Sequence, residues 1–97
     1  MVKVRFFTIL REVTGTRELD VSLPSPVKVK DVLDHLANKF PELVPLLFED
    51  GSKTIIKGYY QLVINGRTLR EVDDSMMMEH VLEEKDVLAI LPPVGGG

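Results

Sequence analysis

Apolar and polar positions alternate from the start of the chain, with Val2, Val4 and Phe6 on one side of an extended backbone and Lys3, Arg5 and Phe7 on the other. A period of two belongs to a strand with one buried face, which predicts a first strand near residues 2–10. Arg11-Glu12-Val13-Thr14-Gly15-Thr16 then reads as a polar break containing a glycine able to take positive φ. Beyond it Glu18, Asp20 and Ser22 alternate with Leu19, Val21 and Leu23, completing an N-terminal β-hairpin that Pro24 and Pro26 close. At Val29 the period lengthens. Val29, Val32, Leu33, Leu36, Ala37 and Phe40 share one stripe of a helix that stops at or before Pro41. Its start carries Lys28 where a Ser, Thr or Asp cap is usual.

Residues 42–48 add a short helical turn before the loop Glu49-Asp50-Gly51-Ser52-Lys53. Tyr59 to Ile64 is rich in strand formers and runs into Asn65-Gly66, a strong hairpin signal, so a return strand is expected through Thr68–Leu69. Residues 71–86 read as polar and irregular, and Val87 to Leu91 as an unbroken apolar strand. Apolarity on both sides of a strand fits a central place in a sheet, or an exposed face used for binding. The order ββαββ places one helix over one face of a mixed four- to five-stranded sheet, with the first and last strands parallel at its centre. That is the ubiquitin-like β-grasp arrangement, class α+β, in one domain over residues 1–91 followed by an extended tail, 92–97.

Composition narrows the chemistry. Ninety-seven residues bury one core but not two. No apolar run approaches the ~20 residues that span a bilayer, and the alternating N-terminus lacks the apolar stretch of a secretion signal, so a cytoplasmic protein without membrane partners is expected. Zero cysteines exclude thiol catalysis, disulfides and cysteine-held metal clusters. His35 and His80 lack the spacing of a metal motif and read as ordinary surface or boundary residues. The net charge is −3, with seven carboxylates against one lysine between Glu71 and Asp86, which disfavours nucleic acid and reads as a solvated acidic segment. Met76-Met77-Met78 fits a cluster filling an awkward gap in the core.

The end of the chain is the most informative stretch. Three of its seven glycines stand last, directly behind Pro92-Pro93-Val94. At average usage such a run at one chosen place has a chance of roughly 3 in 10,000. Glycine lets a backbone enter a narrow channel without a Cβ in the way, and the double proline holds the tail extended and off the domain. Val94 to Gly97 reaches about 13 Å.

These residues resemble the ubiquitin-like sulfur carriers, specifically the small subunit of molybdopterin synthase (MoaD) and its archaeal relatives. The resemblance runs from Phe6-Phe7 and Leu10-Arg11-Glu12-Val13-Thr14-Gly15, through Phe40-Pro41-Glu42-Leu43 and Val63-Ile64-Asn65-Gly66-Arg67, to Ile90-Leu91-Pro92-Pro93-Val94-Gly95-Gly96-Gly97. Where the family usually has Asp-Gly-Asp before its last strand this chain has Glu84-Lys85-Asp86, so a lysine must take the positive φ.

The resemblance implies that the Gly97 carboxylate is the reactive group, with Pro92, Pro93, Val94, Gly95 and Gly96 as its tail. A carboxylate is a poor acyl donor until activated, so a MoeB-like enzyme using ATP and Mg²⁺ would adenylate it, and sulfur would then form a thiocarboxylate. The chain has no P-loop and no recognisable catalytic pair of its own. It is expected to bind no cofactor or metal, and to act as carrier cosubstrate or non-catalytic subunit beside a MoaE-like large subunit. The family's partner-binding patch maps to Phe7, Leu69 and Leu91. Two alternatives stay open: a protein modifier joined through Gly97 to target lysines, and a β-grasp interaction module whose glycines carry no chemistry. Carriers of the thiamine pathway (ThiS) rank third, behind the molybdopterin carrier and the modifier, because they are usually shorter and lack the double proline.

Overall fold

A computed structural model describes residues 1–49, 56–57, 59–69 and 74–92. Its elements are β1 (Val2–Phe6), α1 (Ile9–Thr14), β2 (Glu18–Val21), β3 (Val27–Lys28), α2 (Val29–Lys39), α3 (Leu43–Leu47), β4 (Gln61–Ile64), β5 (Arg67–Thr68), α4 (Asp74–Glu79), β6 (Val81–Leu82) and β7 (Val87–Leu91). The main sheet has the order β2-β1-β7-β4-β5, with β7 in the centre, parallel to β1 and antiparallel to β4. A central place accounts for the apolar residues on both sides of β7.

Burial follows the alternation. Val2, Val4, Phe6, Leu62, Leu88 and Ile90 point to the helix side and are buried, and α2 meets them with Val29, Val32, Leu33, Leu36 and Ala37. Each of these side chains apart from that of Ala37 contributes roughly 1.5–3 kcal/mol by leaving water. Phe40 closes the helix and sets its ring edge-to-face against Phe6, with centroids 6.2 Å apart. Helix α2 starts at Val29 and ends at Lys39, as its periodicity predicts, and its missing cap is supplied from inside: the Asp31 carboxylate accepts the Lys28 backbone N–H at 2.9 Å. The Val29 N–H, another group that a helix start leaves unpaired, donates to the His80 carbonyl at 2.9 Å.

Three expectations need correction. The first strand ends at Phe6, and the supposed polar hairpin loop is a short helix, α1. Leu10 is fully buried and Val13 packs against the core, a three-residue spacing that suits a helix. Gly15 ends it at φ 75, its N–H bonded to the Arg11 carbonyl. Second, residues 71–86 are not irregular throughout, since α4 and β6 lie within them. Buried Met78 and Leu82 anchor the two elements. Third, Val27–Lys28 pairs with Val81–Leu82 in a small second sheet, so the order is richer than ββαββ. Of the methionine cluster, Met78 is buried, Met77 packs against the core and Met76 is 46% exposed, so only part of it fills the core. The loop expected over Glu49 to Lys53 lies, beyond Glu49, outside the described residues. Lys85 takes φ 72, as its place before the last strand demands.

Candidate functional site: the face of the sheet at the root of the tail

Strand pairing decides which side chains share the face opposite α2. Lys3 and Arg5 of β1 lie level with Val87 and Ala89 of β7, and across β7 Ala89 faces Val63 and Leu91 faces Gln61. Side chains directly opposite one another in a sheet share a face, so Val87, Ala89 and Leu91 form a central row with Val63 and Gln61 beside it. The row is half-buried, in contrast to fully buried Leu88 and Ile90 on the other side. On its β2 border the charges are matched: Glu18 accepts a hydrogen bond from Arg5 Nε at 2.7 Å and lies 3.5 Å from Lys3 Nζ. The Arg5 hydrogen bond, with the positive charge of Lys3 and Arg5, holds the Glu18 carboxyl below its ordinary range.

Phe7 follows the last β1 residue, whose register partner is Ile90, and therefore stands level with Leu91 at the end of β7. A tight turn follows: the Phe7 carbonyl accepts the Leu10 N–H at 3.1 Å, and Thr8 adopts φ 48, ψ −123. That is the first central position of a type II′ turn, which glycine usually fills, so a β-branched residue there is strained. The turn swings α1 back until the Arg11 guanidinium stands 6.0 Å from the centre of the Phe7 ring. Arg11 Nε is buried without a hydrogen-bond partner among the described residues. The sequence reading missed this contact: Phe7 and Arg11 have the i, i+4 spacing of helical neighbours, a signal hidden by reading the segment as a hairpin.

Of the residues singled out, Phe7 and Leu91 are brought together. Leu69 is not in their row. Its N–H donates to the Leu62 carbonyl at 2.7 Å, and its half-buried side chain packs against the core. The parity of the β4–β5 pairing, Val63 opposite Thr68, gives the open face to Thr68 and the helix side to Leu69. Pro92 is half-buried beside Leu91, and Pro93, Val94, Gly95, Gly96 and Gly97 lie outside the described residues. A concavity of about 830 Å³ opens at the α1–β2 corner between Arg11, Glu12 and Gly15 to Glu18. Among the described residues no group of three or more His, Asp or Glu side chains is placed to hold a metal, and no helix is long and apolar enough to cross a membrane.

A mixed sheet with parallel first and last strands, a helix across one face and an apolar row on the other defines a ubiquitin-like β-grasp protein. More narrowly, the chain belongs to the ThiS family, whose sequence model matches residues 4–97. It is 31% identical over 96 residues to small archaeal modifier protein 3 of Haloferax volcanii, covering 99% of this chain and 98% of that one. It is 32% identical over 96 residues to the molybdopterin synthase sulfur carrier subunit of Arabidopsis thaliana, covering 99% and 82%. The solution structure of small archaeal modifier protein 1 from Methanosarcina acetivorans superimposes with a TM-score of 0.80 at 40% identity, covering 99% and 95%.

Proposed function

We propose that this chain is a sulfur carrier of molybdopterin synthesis that works through its own C-terminus. The observation that carries the reading is the match along 99% of the chain to a molybdopterin synthase sulfur carrier subunit, in a chain that ends in two prolines, a valine and three glycines. In the proposed sequence the Gly97 carboxylate attacks the α-phosphate of ATP, pyrophosphate leaves, and an acyl-adenylate results. A reduced sulfur nucleophile adds to that carbonyl and expels AMP, leaving a thiocarboxylate whose sulfur passes to the pterin precursor. ATP and Mg²⁺ belong to the activating partner, a MoeB-like enzyme, and the acceptor site to a MoaE-like large subunit. Both partners dock on the open face of the sheet, with Phe7 as aromatic anchor and Leu91 beside it, while Leu69, turned to the helix side, lies outside that face. Pro92 to Gly96 thread the carboxylate into the partner's site.

A second reading is favoured by the similarity to two small archaeal modifier proteins. There a lysine amine of a target, in place of sulfur, displaces AMP and forms an isopeptide bond to Gly97. Intact mass spectrometry of the untagged protein, incubated with the activating enzyme, a sulfur donor and Mg-ATP, separates the two. One sulfur in place of one oxygen on the C-terminal peptide is the expected result, and isopeptide-linked targets would favour the modifier. A free carboxylate that persists, with no adduct, overturns both and leaves a plain interaction module.

A further inference from the structure

Two motifs that the tail chemistry does not use, Asn65-Gly66 and Glu84-Lys85-Asp86, meet at the end of β7 opposite the tail. Asn65 has φ 52 and Gly66 φ 84, the paired left-handed conformations of a type I′ turn. A Cβ at Gly66 would meet nothing within 4 Å, so glycine is required there by the backbone conformation and not by space. The missing side chain has a chemical consequence. An amide nitrogen of glycine is the least hindered nucleophile that an asparagine carboxamide can meet, and attack closes a five-membered ring.

The fold holds that carboxamide elsewhere. Asn65 Nδ2 donates to Asp86 Oδ1 at 2.8 Å, and Asn65 Oδ1 accepts the Val87 N–H at 2.9 Å. The Asn65 backbone N–H donates to the Val87 carbonyl at 2.9 Å. Asp86 is itself fixed, because its Oδ2 accepts the Glu83 N–H at 2.8 Å across the turn in which Lys85 takes positive φ.

We infer that Asn65 is a latent site of spontaneous deamidation and backbone isomerisation, held closed by its contacts to Asp86 and Val87. In the reaction the Gly66 nitrogen gives its proton to solvent base and bonds to Asn65 Cγ. The bond from Cγ to Nδ2 breaks and ammonia leaves. Water then opens the succinimide at either carbonyl, giving aspartate or isoaspartate, with no oxidant or reductant involved. Reaching the ring requires the carboxamide to give up both side-chain hydrogen bonds, which slows the step by roughly 10- to 30-fold. The product cannot return to the clamp: a carboxylate replaces the donor that faced Asp86, and isoaspartate adds a methylene to the turn. Damage therefore falls on the start of β7, the strand whose far end carries Leu91 and Pro92.

The test follows the untagged full chain in mildly alkaline buffer, native and in concentrated urea, alongside native Asp86→Ala. The tryptic peptide ending at Arg67 reports asparagine, aspartate and isoaspartate separately. Conversion is expected in urea, roughly 10- to 30-fold slower in the native protein, and roughly 3- to 5-fold faster in native Asp86→Ala than in the native chain, because that variant releases one of the two side-chain hydrogen bonds. Equal rates in native and urea samples, no conversion in urea, or a folded Asp86→Ala as slow as the native chain would each overturn the inference. Should circular dichroism find Asp86→Ala unfolded, Asp86→Ser carries the same comparison.

Discussion

Phe7 is half-buried, carries a guanidinium 6.0 Å from its ring centre and stands level with Leu91, so it tests the proposed docking face at its aromatic end. Truncating an aromatic anchor typically costs at least about 1–2 kcal/mol of binding. Phe7→Ala is therefore expected to raise the KM of the activating enzyme for this protein about ten-fold with kcat little changed, in an ATP–pyrophosphate exchange assay. An unchanged KM would remove Phe7 from the docking surface. The neighbouring Thr8 makes a different prediction. Its φ of 48 at a β-branched residue is a conformation that glycine adopts without steric cost. Thr8→Gly should stabilise the fold by about 1 kcal/mol, read as a higher midpoint in urea. A lower midpoint would mean that the Thr8 side chain contributes more than its backbone costs.

At the scale of elements, α2 binds the fold together because its apolar stripe covers the inner faces of β1, β4 and β7. Leu36 is fully buried in the middle of that stripe. Leu36→Ala is expected to cost about 2–5 kcal/mol, checked by equilibrium unfolding, and a loss below 1 kcal/mol would mean that the surrounding core collapses into the space. This helix was legible because five buried positions repeat at helical spacing over three turns. So was the Asn65-Gly66 turn, whose two residue types state their own backbone angles. α1 was not. It is six residues long, and Val2 to Phe7 supplied a strand period that ran on into it. β3 and β6 have two residues each, too short for any period, and exist because they pair with one another.

Across the whole molecule, one charge cluster ties late chain to early chain. Glu79, in the last turn of α4, accepts hydrogen bonds from Lys28 Nζ and Lys30 Nζ, each at 2.6 Å, at the start of α2. These bonds lower its pKa to about 2 from the usual 4.5. Because the folded pKa lies below the unfolded one, the contribution to stability is complete above pH 4.5 and fades as the pH falls toward 2. All three groups are substantially exposed, so salt weakens the effect. Glu79→Gln should flatten the acid limb of the thermal midpoint in that window while leaving the slope above it unchanged. An identical acid limb in the variant would assign the acid sensitivity to other carboxylates.

The site divides in the same way. The glycine-rich stretch behind the double proline, the identity of Phe7 and Leu91 as face residues, and the central place of the last strand are all written in local order, because alternation and residue type act over a few neighbours. The helix over Ile9 to Thr14, the Arg11–Phe7 contact, the inward parity of Leu69 and the meeting of Asn65 with Asp86 depend on which segments pack and pair and in what register. Register is a property of two segments together, and a shift by one residue turns every side chain to the other face. The sequence by itself thus determined the fold class and the Pro-Pro-Val-Gly-Gly-Gly stretch on which the proposed chemistry rests, while the tertiary structure alone decided which side chains surround Leu91 and Pro92, since their contacts join positions distant along the chain.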